Sequence, residues 1–481
     1  MNRFYTHVLA LVALSTVTCT EGKDTNWQWL AGDTHIHSHW SPGYDRTVNP
    51  PTPIQGGDAN YSTPTNASQA RNHGLSWMVT TDHGGPNHAK FNLSQAYPEL
   101  QTSRTLVPDV LQFYGMELNM PSMDHHTLIV PHSENESSVL FDIERQFDAR
   151  EAWPEDPTRN TSTSALKALA FINNLPRLPL LFANHPSRSA TAIGDYGLDE
   201  PSELRHYHDA APNVYHGMEG APGHQAATLT TNENFRNDAG DSHRGYYTNP
   251  DAPTLGGFDQ MTALVGGLWD SLLGEGRRFW ILASSDSHMH YADPERPGLD
   301  FWPGEFHKTY VWAMPTYNSV LDGLRAGRIF VVAGDLIDNL EVIATARDQQ
   351  AGIGETLYIV KDEDITLTIK FRDPDVLNAG GYNPRVQRLD IIVGEVIGST
   401  PNQHADRNET TKVWARLDED NWKFDNTVST MSVTIPRINK NSYIRVRGTN
   451  TEDLEPLMDK PGENPWFDLW FYSNPIFIEI D

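Results

Sequence analysis

The apolar residues of this chain come in short runs, and several runs end in a histidine, aspartate or glutamate. "LSWMVTTDHGG" closes on Asp82 and His83, "VLQFYGMELN" on Glu117, and "LPLLFANHPSR" on His185. "RRFWILASSDSHMH" closes on Asp286 and His288, and "PNVYHGMEGAPGHQ" repeats the pattern around Glu219. Runs this short, bounded by Gly and Pro, read as buried strands. Just before the strand leading to His185, "STSALKALAFINNL" predicts a helix over about residues 162–175, opened by Thr and Ser and ended at Pro176. Such β/α alternation predicts an α/β fold. Polar residues at the C-terminal ends of its strands stand where barrel-like α/β enzymes place their sites.

Residues 41–73 and 188–260 are rich in Pro, Gly, Asn and Asp and predict long loops over that site, with room for small insertions. After "LDGLRAGRIFVVAGD" the texture changes. "ITLTIKFRD", "RLDIIVGEVIG", "TVSTMSVTI", "SYIRVRG" and "PIFIEI" are short, alternating and β-branched, the pattern of a β-sandwich. The boundary falls near residue 336, which divides the chain into an α/β unit over 21–335 and a β-sandwich domain over 336–481. No internal repeat or low-complexity tract stands out.

The first 20 residues add a third segment. A basic start, an apolar stretch from Val8 to Val17 and small polar residues around Cys19 read as a secretory signal, too short to span a membrane. Cleavage near Thr20 would release a secreted or periplasmic protein. The alternative, a lipoprotein acylated at Cys19, is disfavoured because Thr16-Val17-Thr18 matches a lipobox poorly. Cys19 is the only cysteine of the 481 residues, so any metal in the mature chain must be held by His, Asp and Glu. The balance of 36 basic against 63 acidic residues, a net charge of -27, opposes binding to nucleic acid or anionic lipid. Bound cations would invert the sign locally, so an anionic substrate remains compatible with it.

The stretch "LAGDTHIHSHW" (30–40) puts His35, His37 and His39 on alternate positions. On a strand, alternate side chains share a face, so these imidazoles can converge. Each polar cluster has an ordinary explanation by itself. Asp82 or Asp286 could cap a helix, Glu117 could pair with a cation, and His185 could sit satisfied in a core. Together they are harder to dismiss, because gathering so many titratable groups costs free energy unless a cation offsets their desolvation.

"GDTHIHSHWS", "TTDHG", "GMELN…DHHTLIV", "ANHPSR" and "SSDSHMH" resemble, in that order, the motifs of the PHP (polymerase and histidinol phosphatase) superfamily over about residues 31–335. The text at 321–332, the following sandwich, the signal segment and "WFYSNPIFIEI" resemble its exported carbaryl-hydrolase-like branch. The resemblance implies a distorted (β/α)7 barrel with two or three divalent metals (Zn, Mn or Fe) at the C-terminal ends of its strands. It implies a first metal on His35, His37, Glu117 and Asp286. A second would share Glu117 and add His125 and His185, and a third would use His83 and His288. The adjacent His126 competes with His125 for its place. The acid that the family usually carries soon after the HxH is missing, since neither His39 nor Asp45 has the usual offset. Asp82 is expected to orient His83, and His39 to lie either behind the ligands or in a loop.

Neither a Ser-His-Asp elbow nor a Gly-rich phosphate loop is evident, so the expected nucleophile is a metal-bound hydroxide. Asp286 and Arg188 are the candidate catalytic residues. Arg188 either grips an anionic oxygen bidentately or forms a structural ion pair. His224 and His290 are candidate proton donors or plain loop histidines. The implied activity is metal-dependent phosphoester hydrolysis of a small, anionic substrate. The alternatives are a carbamate, amide or carboxylic ester at the same site, or a non-catalytic envelope module. The sandwich is the candidate for an envelope or glycan contact.

Overall fold

The computed structural model describes residues 26–229, 247, 249, 251–460 and 462–481; the expected signal segment and Cys19 lie outside them. The apolar runs form β1 (Gln28–Ile36), β2 (Trp77–Thr80), β3 (Leu111–Asn119), β4 (His125–Val130), β5 (Leu180–Ala183), β6 (Tyr215–Ala221), β7 (Trp280–Ala283), β8 (His307–Ala313) and β9 (Ile329–Ala333). These strands lie in one mixed sheet in the order β9-β8-β1-β2-β3-β4-β5-β6-β7. β1, β2 and β3 are parallel, as are β5, β6 and β7, whereas β4 runs against both of its neighbours. The start of β4 therefore shares an edge with the C-terminal ends of the parallel strands. Asn119 pairs there with His125, and Glu117 with Thr127.

The sheet curls until the end of β7 meets β1. The His37 N–H donates to the Ser287 carbonyl at 2.9 Å, and the Ser285 N–H to the Asp33 carboxylate at 3.2 Å. The Thr309 hydroxyl of β8 donates to the Ala283 carbonyl at 2.7 Å. β2, β5 and β7 are buried along their whole length, which explains their unbroken apolar sequences. The helix Ser162–Asn173 forms where expected, with the Thr161 hydroxyl accepting the Ser164 N–H at 3.2 Å, and buries Ala165, Ala168, Leu169 and Ile172.

The segments expected to be loops hold more regular structure than their composition suggests. Residues 41–73 contain a hairpin (Gly43–Asp45 with Thr52–Ile54) and a helix, Thr63–Asn72, capped by Ser62. Within 188–260 lie the helix Pro201–Ala210 and β6. Proline here starts helices instead of excluding them, because the first turn needs no N–H from it.

Beyond residue 336 the strands alternate in burial. In Asn339–Ala346, Leu340, Val342, Ala344 and Ala346 are buried and the residues between them are partly exposed. That strand belongs to a separate five-stranded antiparallel sheet with Gln349–Ala351, Glu363–Arg372, Lys423–Asp425 and Val428–Ile438. Other C-terminal strands extend the large sheet to fifteen strands. Trp470–Ser473 pairs with β9 through Phe330–Ser473, Val331–Tyr472 and Val332–Phe471. One apolar core runs from Leu30 to Ile478. Among the described residues, no helix is long and apolar enough to cross a membrane.

Candidate metal centre

His35 and His37 reach one point from the end of β1, and both side chains are fully buried. Their Nε2 atoms lie 2.9 Å apart, and Asp286 Oδ1 stands 3.0 Å from the first and 3.1 Å from the second. Glu117, near the end of β3, lies between two sets of histidines. Its Oε1 is 3.0 Å from His125 Nδ1, 3.0 Å from His185 Nε2 and 3.3 Å from His35 Nε2. Its Oε2 is 2.7 Å from His83 Nδ1 and 3.5 Å from His37 Nε2. The parallel strand ends deliver most of these groups, and the antiparallel β4 delivers His125 with its first residue.

The donor set fits divalent cations on a specific ground. Glu117 Oε2 and Asp286 Oδ1 are buried yet accept no hydrogen bond, although imidazole nitrogens crowd them. The nitrogens are near without being aimed at the oxygens, as when lone pairs converge on shared points between them. An unsatisfied buried carboxylate oxygen is costly, and a cation removes that cost. Four overlapping groups have ligand atoms within 4.8 Å of one another: His35/His37/Asp286, His83/Glu117/His125, His37/Asp58/His83/His288 and His224/Asp286/His288. Each could hold an ion, and an all-nitrogen-and-oxygen set suits Zn, Mn or Fe.

The electrostatics prepare the carboxylates for ligation. Burial pushes the Glu117 carboxyl up, but His125, His83 and His35 outweigh it and hold it well below the usual range. Burial likewise opposes ionisation of Asp286, and His35, His224 and His288 reverse the effect. Burial holds the His125 imidazole down at about 4, the neutral form a ligand needs. His288 moves the other way despite burial, up to about 10, because Asp58 and Asp286 face it. A cation binding there displaces that proton.

Of the two adjacent histidines, His125 meets Glu117, whereas His126 turns away to the Tyr215 hydroxyl at 3.0 Å. His39 lies outside the cluster, with Nε2 2.8 Å from Glu99 Oε2. Asp45 caps the Thr47 N–H at 2.8 Å, and His290 pairs with Glu305 at 3.0 Å. Asp82 does not touch His83. It accepts the Ser38 N–H at 2.6 Å and the Ser38 hydroxyl at 2.8 Å, and so fixes the turn that follows His37. Arg188 is held side-on by Asp124, with Nε 2.8 Å from Oδ2 and Nη2 2.6 Å from Oδ1. Its Nη2 is also 3.4 Å from His125 Nδ1, so this ion pair borders the centre.

Sequence reasoning gave no role to Asp58, Glu219 or Asp300, and named His224 only as a candidate proton donor or loop histidine. Asp58 comes from the loop after the hairpin and stands 3.4 Å from His288 Nε2 and 3.8 Å from His83 Nε2. Glu219 was visible as a strand-end acid without a role. Its Oε1 accepts from His35 Nδ1 at 2.8 Å and from the Ser284 hydroxyl at 2.7 Å, and its Oε2 accepts the His185 N–H at 2.7 Å. His224 Nε2 donates to Asp286 Oδ2 at 2.6 Å, and its Nδ1 contacts Asp300. Asp300 in turn accepts the His288 N–H at 2.7 Å.

His185, His224 and Asp286 all have left-handed backbone, with φ of 31°, 70° and 47°. For residues other than glycine that conformation costs about 1–2 kcal/mol each. Three such residues in one cluster mean that the fold holds these side chains at some expense to stability. Neither the protein-family models nor the curated proteins give a match to this chain.

Proposed function

We propose that this chain is an exported, metal-dependent phosphoesterase of the PHP superfamily, with a distorted (β/α)7 barrel followed by a β-sandwich. The observation that carries the reading is the position of Glu117 among five histidines, with Oε1 facing His125, His185 and His35 and Oε2 facing His83 and His37. A carboxylate so placed would be shared by two cations and would offset part of their mutual repulsion. Bound there, the cations supply an acidified water and positive charge beside the phosphoryl oxygens.

The remaining roles belong to side chains. His35, His37, Glu117 and Asp286 would hold one ion. Glu117, His125 and His185 would hold the next, and His83, His288 and Asp58 would supply a third position. Glu219 fixes the tautomer and orientation of His35, as carboxylates commonly do for ligating imidazoles. His224, set between Asp286 and Asp300, orients Asp286. Arg188, held by Asp124 with its Nη2 3.4 Å from His125 Nδ1, would place positive charge beside a substrate oxygen at the centre. A net charge of -27 favours a small anionic substrate over a polyanion.

The test is turnover of para-nitrophenyl phosphate by the mature protein loaded with Mn or Zn, beside Asp286→Asn. Turnover in the wild type and its loss in the variant is the expected result. No turnover by fully loaded wild type would move the reading to carbamate, amide or carboxylic ester hydrolysis.

A further inference from the structure

Beside the centre, a cleft of about 670 Å³ opens along the end of β3 and the start of β4. Asn119, Asp124 and His125 are among its lining residues, so His125 belongs both to the cleft and to the candidate cation ligands. Its size suits a small organic ligand. A cavity of about 650 Å³ lies at the opposite ends of β6 and β7, but the arginines lining it are committed. Arg277 pairs with Asp209, Arg278 with Glu479, and Arg325 with Asp322.

The lining of the first cleft selects for chemistry. Met120, Met123, Trp153 and Leu198 line it; the methionines are buried, and Trp153 and Leu198 have 37% and 54% of their surfaces exposed. Two thioethers, an indole and a leucine offer polarisable, apolar contact of the kind that holds an aromatic ring. Among its lining residues Arg46 and Arg150 are matched in number by Glu155 and Asp156, and Asp124 is paired with Arg188, so the cleft has no excess of positive charge for a second anionic group. Its two loops are tied together, because the Trp153 indole N–H donates to Asn49 Oδ1 at 2.6 Å. Gly85 lets the hairpin pack close: a Cβ there would lie 2.3 Å from the Tyr44 hydroxyl, which belongs to the same wall.

We infer that this cleft holds the organic part of the substrate and selects phosphoesters of aromatic alcohols, with Trp153 as a specificity-determining residue. The assignment of a phosphoester rests on the proposed function; the preference for an aromatic group rests on the cleft. Aryl esters are intrinsically more reactive than alkyl esters, so the test must not depend on rate alone. Calorimetric titration of the metal-loaded full chain with phenylphosphonate and methylphosphonate measures the preference directly.

The expected result is at least tenfold tighter binding of phenylphosphonate, falling to about threefold or less in Trp153→Ala. Leu198→Ser, at a more exposed position, provides a second variant should the first fold poorly, and it should lower the preference as well. Equal binding of the two phosphonates, binding of neither, or a preference that survives both substitutions would overturn the assignment. Turnover separates the two readings. A protein that prefers phenylphosphonate yet hydrolyses no phosphoester would refute the phosphoesterase reading and leave the aromatic cleft standing.

Discussion

Asp58 stands 3.4 Å from His288, although a hairpin separates it from the histidines of β1. The Ser41 hydroxyl donates to its carboxylate at 2.6 Å, and the Asn60 N–H donates to the His288 carbonyl at 3.1 Å. The loop is thus tied down on both sides of the acid. On the proposed reading, Asp58 takes the place of the carboxylate that is missing directly after the HxH.

Replacing Asp58 by Ala should therefore remove one cation and leave the ions around Glu117 in place. Metal analysis of the purified variant measures this. Unchanged metal content would remove Asp58 from the ligand set.

Among the described residues, Glu219 is hydrogen-bonded to His35, His185 and Ser284. Glu219→Gln should weaken metal binding by about 10–100-fold without deleting a ligand. Competition with a chelator at fixed pH reads that change. An affinity equal to the wild type would show that His35 needs no orienting partner.

The adjacent histidines should separate cleanly. His125→Ala should lose a cation. His126→Ala should keep the full complement and instead lose about 1–3 kcal/mol of stability, because the Tyr215 hydroxyl is left buried without its partner. Metal content and denaturant unfolding on both variants decide it; the reverse pattern would mean that the register of β4 is wrong.

Much of this site was legible because strands obey a period of two. His35 and His37 had to share a face, and polar residues ending apolar runs had to gather at one edge of a parallel sheet. Asp58 was not legible, because a loop acid is placed by the hydrogen bonds of a hairpin and not by any periodicity. Asp82 sits beside His83 in sequence, but the turn after His37 offered it two donors from Ser38. The partner of Arg188 was hidden for a similar reason. Asp124 comes to it from the start of β4, and only the antiparallel register brings the two together. The alternation beyond residue 336 revealed the strands there, yet not that Trp470–Ser473 would pair with β9, since edge pairing leaves no mark on the pattern of buried faces.

A buried acidic cluster behind the cleft gives the fold a dependence on pH. Burial, and then the nearby Glu144, push the Asp148 carboxyl up to about 6. The folded state thus holds this proton more tightly than the unfolded chain does. The stability it contributes is fully present below about pH 4 and is lost as pH rises through about 6. Asp148→Asn should flatten this part of the unfolding free energy between pH 4 and 6. An identical slope in the variant would show that Asp148 ionises normally.

The central claim is that Glu117 bridges two cations, and metal stoichiometry of paired variants tests it most directly. Wild type should bind two or three divalent ions per chain. Glu117→Gln should lose more than one of them, and His288→Ala no more than one. Equal losses from the two substitutions would contradict the bridging role.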